Sequence, residues 1–334
     1  MGLGHLYRLF AVIEMLKNDY DFKLVVKSSS TIAVIPDECE VVLMPDETDI
    51  FSEPDWLTRN FKPESHIVIA DGYQFDYKYQ EQLKNNKYQL VYIDDLVQSS
   101  VVADVVINHA PSLTNDDYGE AAYTRYGLGP KYALLRPAFL ECAAVQRPLT
   151  KTDTAFVCFG GADMLNLSLK ATEALLQTTF VKTIHLVLGQ AYDDREIRSL
   201  QNNSTKKLHI HRNLSASELV AVMSSCNFAI VPTSTILYEL CCVKMPILGG
   251  YFVDNQRRIY TAMVKEKAIL DGGDFSKYEV ADFIKAIDDK FSDLDAEAYV
   301  QTQGAIFDGK SGKRILGLVN ALNITFRPAN ASDL

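Results

Sequence analysis

AFVCFGGADMLNLSLKA, residues 155–171, runs from a continuous apolar stretch into Gly160-Gly161 and then into an amphipathic segment. A continuous apolar run is expected of a strand covered on both faces of a parallel sheet. Paired glycines at its C-terminal end, followed by Asn166 and Ser168 at the start of a helix, mark the place where open α/β sheets bind ligands. The same turn also serves as a plain strand-to-helix connection. No Gly-Lys-Ser/Thr follows it, so it is not a P-loop.

Outward from this stretch the pattern repeats. Downstream come TIHLVLG, KLHIH, FAIVPT and PILGG, separated by helical patterns such as NLSLKATEALLQT and SASELVAVMSS. Upstream come FKLVV, CEVVLM, HIVIA, QLVYI, DVVIN and YALL, with QFDYKYQEQLKNN among the helix-compatible spacers. Alternating strands and helices predict α/β doubly wound domains. The polar segment 141–154, ECAAVQRPLTKTDT, interrupts the rhythm and reads as an interdomain linker. It divides the chain into domains at 1–145 and 151–325, in keeping with a length of 334 residues. The closing RPANASDL reads as a loose tail.

Composition sets outer limits. A net charge of −10 argues against a general nucleic-acid binder, which needs a basic surface. The six cysteines form no C-x-x-C pair and mostly lie in apolar runs, which favours a reduced, cytoplasmic setting. No apolar run approaches the ~18 residues of a membrane span.

Four further places carry candidate chemistry. The chain opens GLGHLYRLF, and Leu6, Leu9, Phe10, Ile13 and Leu16 then mark one helical face. Gly4 and the helix start suit an anion, Arg8 lies one turn on, and His5 has the chemistry of a general base near neutral pH. The plain alternative is a tight turn with an exposed histidine. In VPTSTILYEL, Thr233, Ser234 and Thr235 stand between a buried strand and an apolar helix, as N-caps or as donors to a pyrophosphate. Glu239 follows one turn in, as an acceptor for ribose hydroxyls or as a solvated side chain. Asn255 and Gln256 follow the next strand. Asp71 and Tyr73 end one strand, and Asp94 and Asp95, read as structural caps, end another. No metal constellation is visible; His209 and His211 form a lone H-x-H, read as structural. No G-x-S-x-G supports a serine hydrolase.

The order of these stretches carries a resemblance. GLGHLYR, IADGYQFD, YIDD, DVVINHAPSLTNDDYG, YGLGPKYALLRPAF, FVCFGGADMLNLSLKA, PTSTILYEL and DNQ succeed one another, through FDGKSGKRIL near the C-terminus. The chain resembles the UDP-2,4-diacetamido-2,4,6-trideoxy-β-L-altropyranose hydrolase family of pseudaminic acid biosynthesis and the related spore-coat polysaccharide proteins. That resemblance implies a GT-B fold of two Rossmann-like domains facing a cleft. It implies inverting hydrolysis of a UDP-sugar without a metal or cofactor, His5 activating water. Gly4, Arg8, Tyr73 and Asn166 would contact the sugar. Gly160, Gly161, Ser234, Thr235, Glu239, Asn255 and Gln256 would hold UDP. Gly72 stands where the family has a histidine. The family also has a strand before the glycine loop, so a shortened chain lacking that central strand is expected. A glycosyltransferase, or a nucleotide-sugar binder without turnover, fits the same nucleotide site.

Overall fold

The computed structural model describes residues 3–322, except 31–34, 38, 98–99, 119–121, 149–152, 162, 191 and 292–293. The tail 327–334 and Gly2 therefore lie outside the described residues. The chain forms two compact units, Met1–Leu134 with Ser311–Leu334, and Leu135–Lys310.

The first unit runs α1 (Leu3–Leu16), β1 (Lys23–Lys27), β2 (Glu40–Met44), α2 (Glu53–Asn60), β3 (Ile67–Asp71), α3 (Tyr77–Asn85), β4 (Gln89–Ile93), β5 (Val105–Asn108) and β6 (Arg125–Leu128). The strands β3-β4-β5-β6 form a parallel sheet in chain order, and β1 pairs in parallel with β2. Alternate residues of β4 face opposite ways. Leu90 and Tyr92 join a core with Leu57, Tyr79 and Leu83 of α2 and α3. Val91 and Ile93 join another with Ala11, Val12 and Leu16 of α1. Both faces of the sheet are thus covered, which explains the continuous apolar strand sequences.

The second unit runs α4 (Pro137–Ala143), β7 (Thr154–Val157), α5 (Leu167–Gln177), β8 (Thr183–Val187), α6 (Arg195–Asn203), β9 (Lys207–His211), α7 (Ala216–Ser225), β10 (Phe228–Pro232), α8 (Thr235–Val243), β11 (Ile247–Tyr251), α9 (Arg257–Lys265), β12 (Leu270–Asp274), α10 (Val280–Phe291) and α11 (Ala296–Ile306). Its parallel sheet has the order β12-β11-β10-β7-β8-β9. The chain enters at β7, moves outward to β9, then returns to β10 on the other side of β7. That reversal is a topological switch point, where the turns after neighbouring strands diverge and leave a crevice. One face buries Val157, Leu186, Ile230 and Leu248 against Ala171 and Leu175 of α5 and Phe283 and Ile287 of α10.

Several sequence expectations need correction. The segment 141–154 is not a free linker between units. Its start is the end of α4, which packs on α7 and α8. Buried Lys244 donates from Nζ to the carbonyls of Ala143 (2.7 Å) and Val145 (2.6 Å), and Arg147 bonds the carbonyls of Ser224 and Cys226. The division therefore falls at 134/135 rather than 145/151. The expected end at 325 fails as well, because α12 (Ser311–Asn320) buries Ile315 and Val319 in the α1 side of the first unit's core. YALL is no strand: Pro130–Tyr132 form a single 3-10 turn, and the strand is β6 just before it. The opening is no turn over residues 3–5, since α1 already begins at Leu3 and includes Gly4.

Candidate functional site

In the first unit three neighbouring parallel strands end side by side. Asp71 is the last residue of β3, Asp94 and Asp95 follow β4, and His109 follows β5. The first turns of α1 add His5 and Arg8 to this edge. Asp71 is the hub, and its side chain is fully buried. Its Oδ1 lies 2.7 Å from His5 Nδ1 and 2.6 Å from Arg8 Nη2, and its Oδ2 accepts from Arg8 Nε at 3.0 Å. Arg8 Nη1 bonds Asp95.

His5 Nδ1 also lies 2.8 Å from Arg8 Nη2. One ring nitrogen cannot donate to a carboxylate and accept from a guanidinium together. A buried carboxylate is acceptor-only, so Nδ1 carries the hydrogen toward Asp71, and the two nitrogens approach because they share Oδ1. In the neutral ring that tautomer leaves the lone pair on Nε2. The exposed Tyr73 ring stands edge-on to His5, with centroids 4.9 Å apart.

Charge is balanced tightly here. Burial alone would lower the Arg8 pKa, but the bonds to Asp71 and Asp95 outweigh it and raise it, so Arg8 is a permanent cation. Half-buried His109 feels the opposite: burial and then Arg8 push it down to about 4 against the pull of Asp95, so it is neutral at pH 7. Beneath them Asp94 is structural, as expected. It accepts from Leu96 N at 3.0 Å and from Tyr118 Oη at 2.8 Å. Asp95, expected to be a similar cap, instead belongs to the cluster.

In the second unit the expected UDP residues fall at the C-terminal ends of three adjacent strands flanking the switch point. Gly160 and Gly161 follow β7, Ser234 and Thr235 follow β10, and Asn255 and Gln256 follow β11. Gly160 has φ of 89°, and a Cβ there or at Gly161 would meet open space. The turn is held from the next strand: a Cβ at Gly189 would lie 2.1 Å from the Gly161 carbonyl oxygen. Asp163 caps α5, accepting from Leu167 N (2.9 Å) and Ser168 N (2.7 Å). Asn166 is exposed and left-handed at φ 55°, with Oδ1 3.4 Å from Tyr192 Oη.

Ser234 starts α8 without a side-chain capping bond, so its hydroxyl does not satisfy the first N–H groups of that helix. Thr233 works inward, donating from Oγ1 toward Gly250 O and Gln256 O. Gln256 is buried and accepts from Phe252 N at 3.0 Å, bracing the turn from within, while Asn255 is exposed.

Glu239 is not solvated; it is 7% exposed. Arg136 donates to its Oε1 from Nη2 at 2.7 Å and Nε at 3.2 Å. Burial raises the Glu239 pKa, and Arg136 opposes that rise.

Arg136, Asp95, His109 and Gly189 escaped the sequence reading as site residues. The available signal was register. Once β3, β4 and β5 are read as consecutive parallel neighbours, their C-terminal residues must lie together.

No protein-family model matches the chain. It is 26% identical over 276 residues to an uncharacterized protein of Methanocaldococcus jannaschii, covering 80% of this chain and 56% of that protein. It is 25% identical over 138 residues to the UDP-2,4-diacetamido-2,4,6-trideoxy-β-L-altropyranose hydrolase of Campylobacter jejuni, covering 41% of this chain and 48% of that enzyme. The chain thus spans about half the length of the curated relatives it matches.

Among solved structures, Acinetobacter baumannii MurG aligns over 96% of both chains with a TM-score of 0.63 and 11% identity. A Polygonum tinctorium UDP-glucosyltransferase aligns over 96% of this chain and 97% of its own, with a TM-score of 0.65 and 10% identity. A Listeria monocytogenes putative UDP-N-acetylglucosamine 2-epimerase aligns over 97% and 95%, with a TM-score of 0.61 and 10% identity. These likenesses establish the fold: two Rossmann-like α/β domains of the GT-B class. Among the described residues no helix is long and apolar enough to cross a membrane.

Proposed function

We propose that this chain hydrolyses a UDP-linked amino-deoxy sugar to UDP and free sugar, with inversion and without a metal, in the manner of nonulosonic acid or surface-polysaccharide biosynthesis. The observation that carries the reading is the bond from His5 Nδ1 to buried Asp71, which fixes the tautomer and leaves Nε2 as the base. The partial likeness to the Campylobacter hydrolase supports the same chemistry. Water gives its proton to Nε2 as its oxygen bonds the anomeric carbon, and the bond from that carbon to the UDP oxygen breaks. Attack from the face opposite the leaving group inverts the centre. Arg8 bonds both oxygens of Asp71 and fixes its position, and Tyr73 and Gly4 border the same edge for the sugar.

In this reading the second unit binds UDP. The N-terminus of α8 at Ser234 and Thr235, with the glycine turn 160–161, offers main-chain N–H groups to the diphosphate. Glu239 accepts ribose hydroxyls, held in place by Arg136. Asn255 meets the nucleotide from the turn that Gln256 braces, and Asn166 meets the sugar from the start of α5.

The test is UDP release from a panel of UDP-sugars, including the altropyranose substrate of the Campylobacter relative, with EDTA and no acceptor. Release is expected, with His5→Asn slowing it ~10²–10⁴-fold and leaving UDP affinity nearly unchanged. Asp71→Asn should lower kcat in the same direction, because it no longer fixes the tautomer. Release only with an added hydroxyl acceptor would make the chain a transferase. Binding without release would make it a nucleotide-sugar binder.

A further inference from the structure

Arg212 is the first residue after β9, and strand register decides where it stands. β8 and β9 run in parallel with Val187 opposite His211, and Leu188 N donates to His211 O at 3.0 Å. Arg212 therefore leaves the sheet beside the segment that leaves β8. There its half-buried guanidinium collects carbonyl oxygens. Nη1 bonds Gly189 O and reaches Gln190 O at 3.4 Å, and Nη2 donates to Tyr192 O at 2.7 Å. Asp194 Oδ2, a little further along, lies 3.1 Å from Nη2. Carbonyl dipoles aimed at one place repel one another unless a cation lies among them. A guanidinium meets that need with a rigid fork of donors and a permanent charge.

The segment so held touches the proposed UDP site twice. Gly189 packs on the main chain of Gly161 so closely that a Cβ would lie 2.1 Å from the Gly161 carbonyl oxygen and 2.4 Å from its Cα. Tyr192, buried in the second unit's core, places Oη 3.4 Å from Asn166 Oδ1. Close-packed main chain does not shift without displacing its neighbour or opening a gap. We propose that Arg212 is a positioning residue of the nucleotide-sugar site. It fixes the segment after β8, which sets the glycine turn 160–161 for the diphosphate and Asn166 for the sugar. This inference rests on the reading of the second unit as the UDP-binding one.

The experiment titrates UDP into the full chain by calorimetry with EDTA present, beside Arg212→Ala, at a temperature where scanning calorimetry shows both proteins folded. Affinity should fall about tenfold in the variant, the scale on which a residue without ligand contact is coupled to a site. Millimolar guanidinium chloride should restore most of that loss, and the same concentration of sodium chloride should not, because the vacated place is shaped for a guanidinium. A residue that only stabilises the fold would lower Tm and leave UDP affinity unchanged. That result overturns the proposal, as does a loss that guanidinium leaves in place or that sodium chloride reverses equally.

Should Arg212→Ala fail to fold, the wild-type chain still decides. Coupling is reciprocal, so a residue that sets the UDP site is itself steadied by UDP. Saturating UDP should slow exchange of the Arg212 guanidinium protons severalfold by NMR, and unchanged exchange overturns the proposal. The two readings fail separately. A wild-type chain that binds no UDP removes the nucleotide reading and this inference with it, whereas equal UDP binding by wild type and variant removes Arg212 alone.

Discussion

Asp71 is a short side chain at a strand end, yet it decides what His5 and Arg8 do. With a fully buried side chain it accepts from both, and an unpaired buried carboxylate would be costly. Glu239 shows the same economy with a different partner, since Arg136 holds its Oε1 and burial raises its pKa. That direction has a consequence for ligand binding. In the proposed site the ionised form is the one that accepts from ribose hydroxyls, so there proton uptake would compete with nucleotide binding. Because the pKa is raised, affinity should weaken on acidification sooner than for an exposed glutamate. Calorimetry with a UDP-sugar, whose diphosphate does not itself titrate near neutrality, should show this fall. Glu239→Gln should bind roughly ten- to a hundredfold more weakly, the loss of a charged-group hydrogen bond, and with little pH dependence. A variant as pH-dependent as the wild type would remove Glu239 from the nucleotide site.

At the scale of elements, strands with an apolar run are legible, β11 among them despite its two glycines, whereas β6 and β12 are not. β4 and β10 announce themselves. β6 and β12 do not, because each gives up side chains to a neighbour. A Cβ at Gly127 in β6 would meet Leu318 Cδ1 at 2.9 Å, and one at Gly272 in β12 would meet the Phe275 ring at 2.8 Å. Close approach, invisible in one strand's own sequence, sets those residues. Gly189 is the case with a functional edge, since it packs on the carbonyl of Gly161. Overpacking typically costs ~1–3 kcal/mol. Gly189→Ala should therefore lower Tm by several degrees and weaken UDP binding by displacing the glycine turn. Scanning calorimetry with a UDP titration checks both. A destabilised variant with unchanged UDP affinity would place the diphosphate elsewhere.

At the scale of the molecule, the chain forms two units, and α12 returns to the first. The proposed base and the proposed sugar contacts other than Asn166 lie on the first, and the proposed nucleotide contacts lie with Asn166 on the second. Amide hydrogen exchange with saturating UDP alone should therefore slow around residues 160–161, 234–239 and 254–256 and leave α1 and β3 unchanged. Protection of α1 by UDP alone would contradict that division. The return of α12 also makes the boundary between the units illegible in local sequence. Ile315 and Val319 give it an ordinary amphipathic face, and nothing local says which core that face joins.

The sequence by itself determined the α/β class, the run of most strands and helices, and the glycine, serine and histidine positions at their ends. These follow from local periodicity and turn chemistry, which need no partner. Only the tertiary structure decided that Asp71 serves His5, that Asp95 joins Arg8, that Arg136 holds Glu239, and that Arg212 holds Tyr192. Each of these pairs joins residues far apart in the chain, brought together by parallel register and by the switch between β7 and β10. Register is a property of neighbouring strands, so no single segment encodes it.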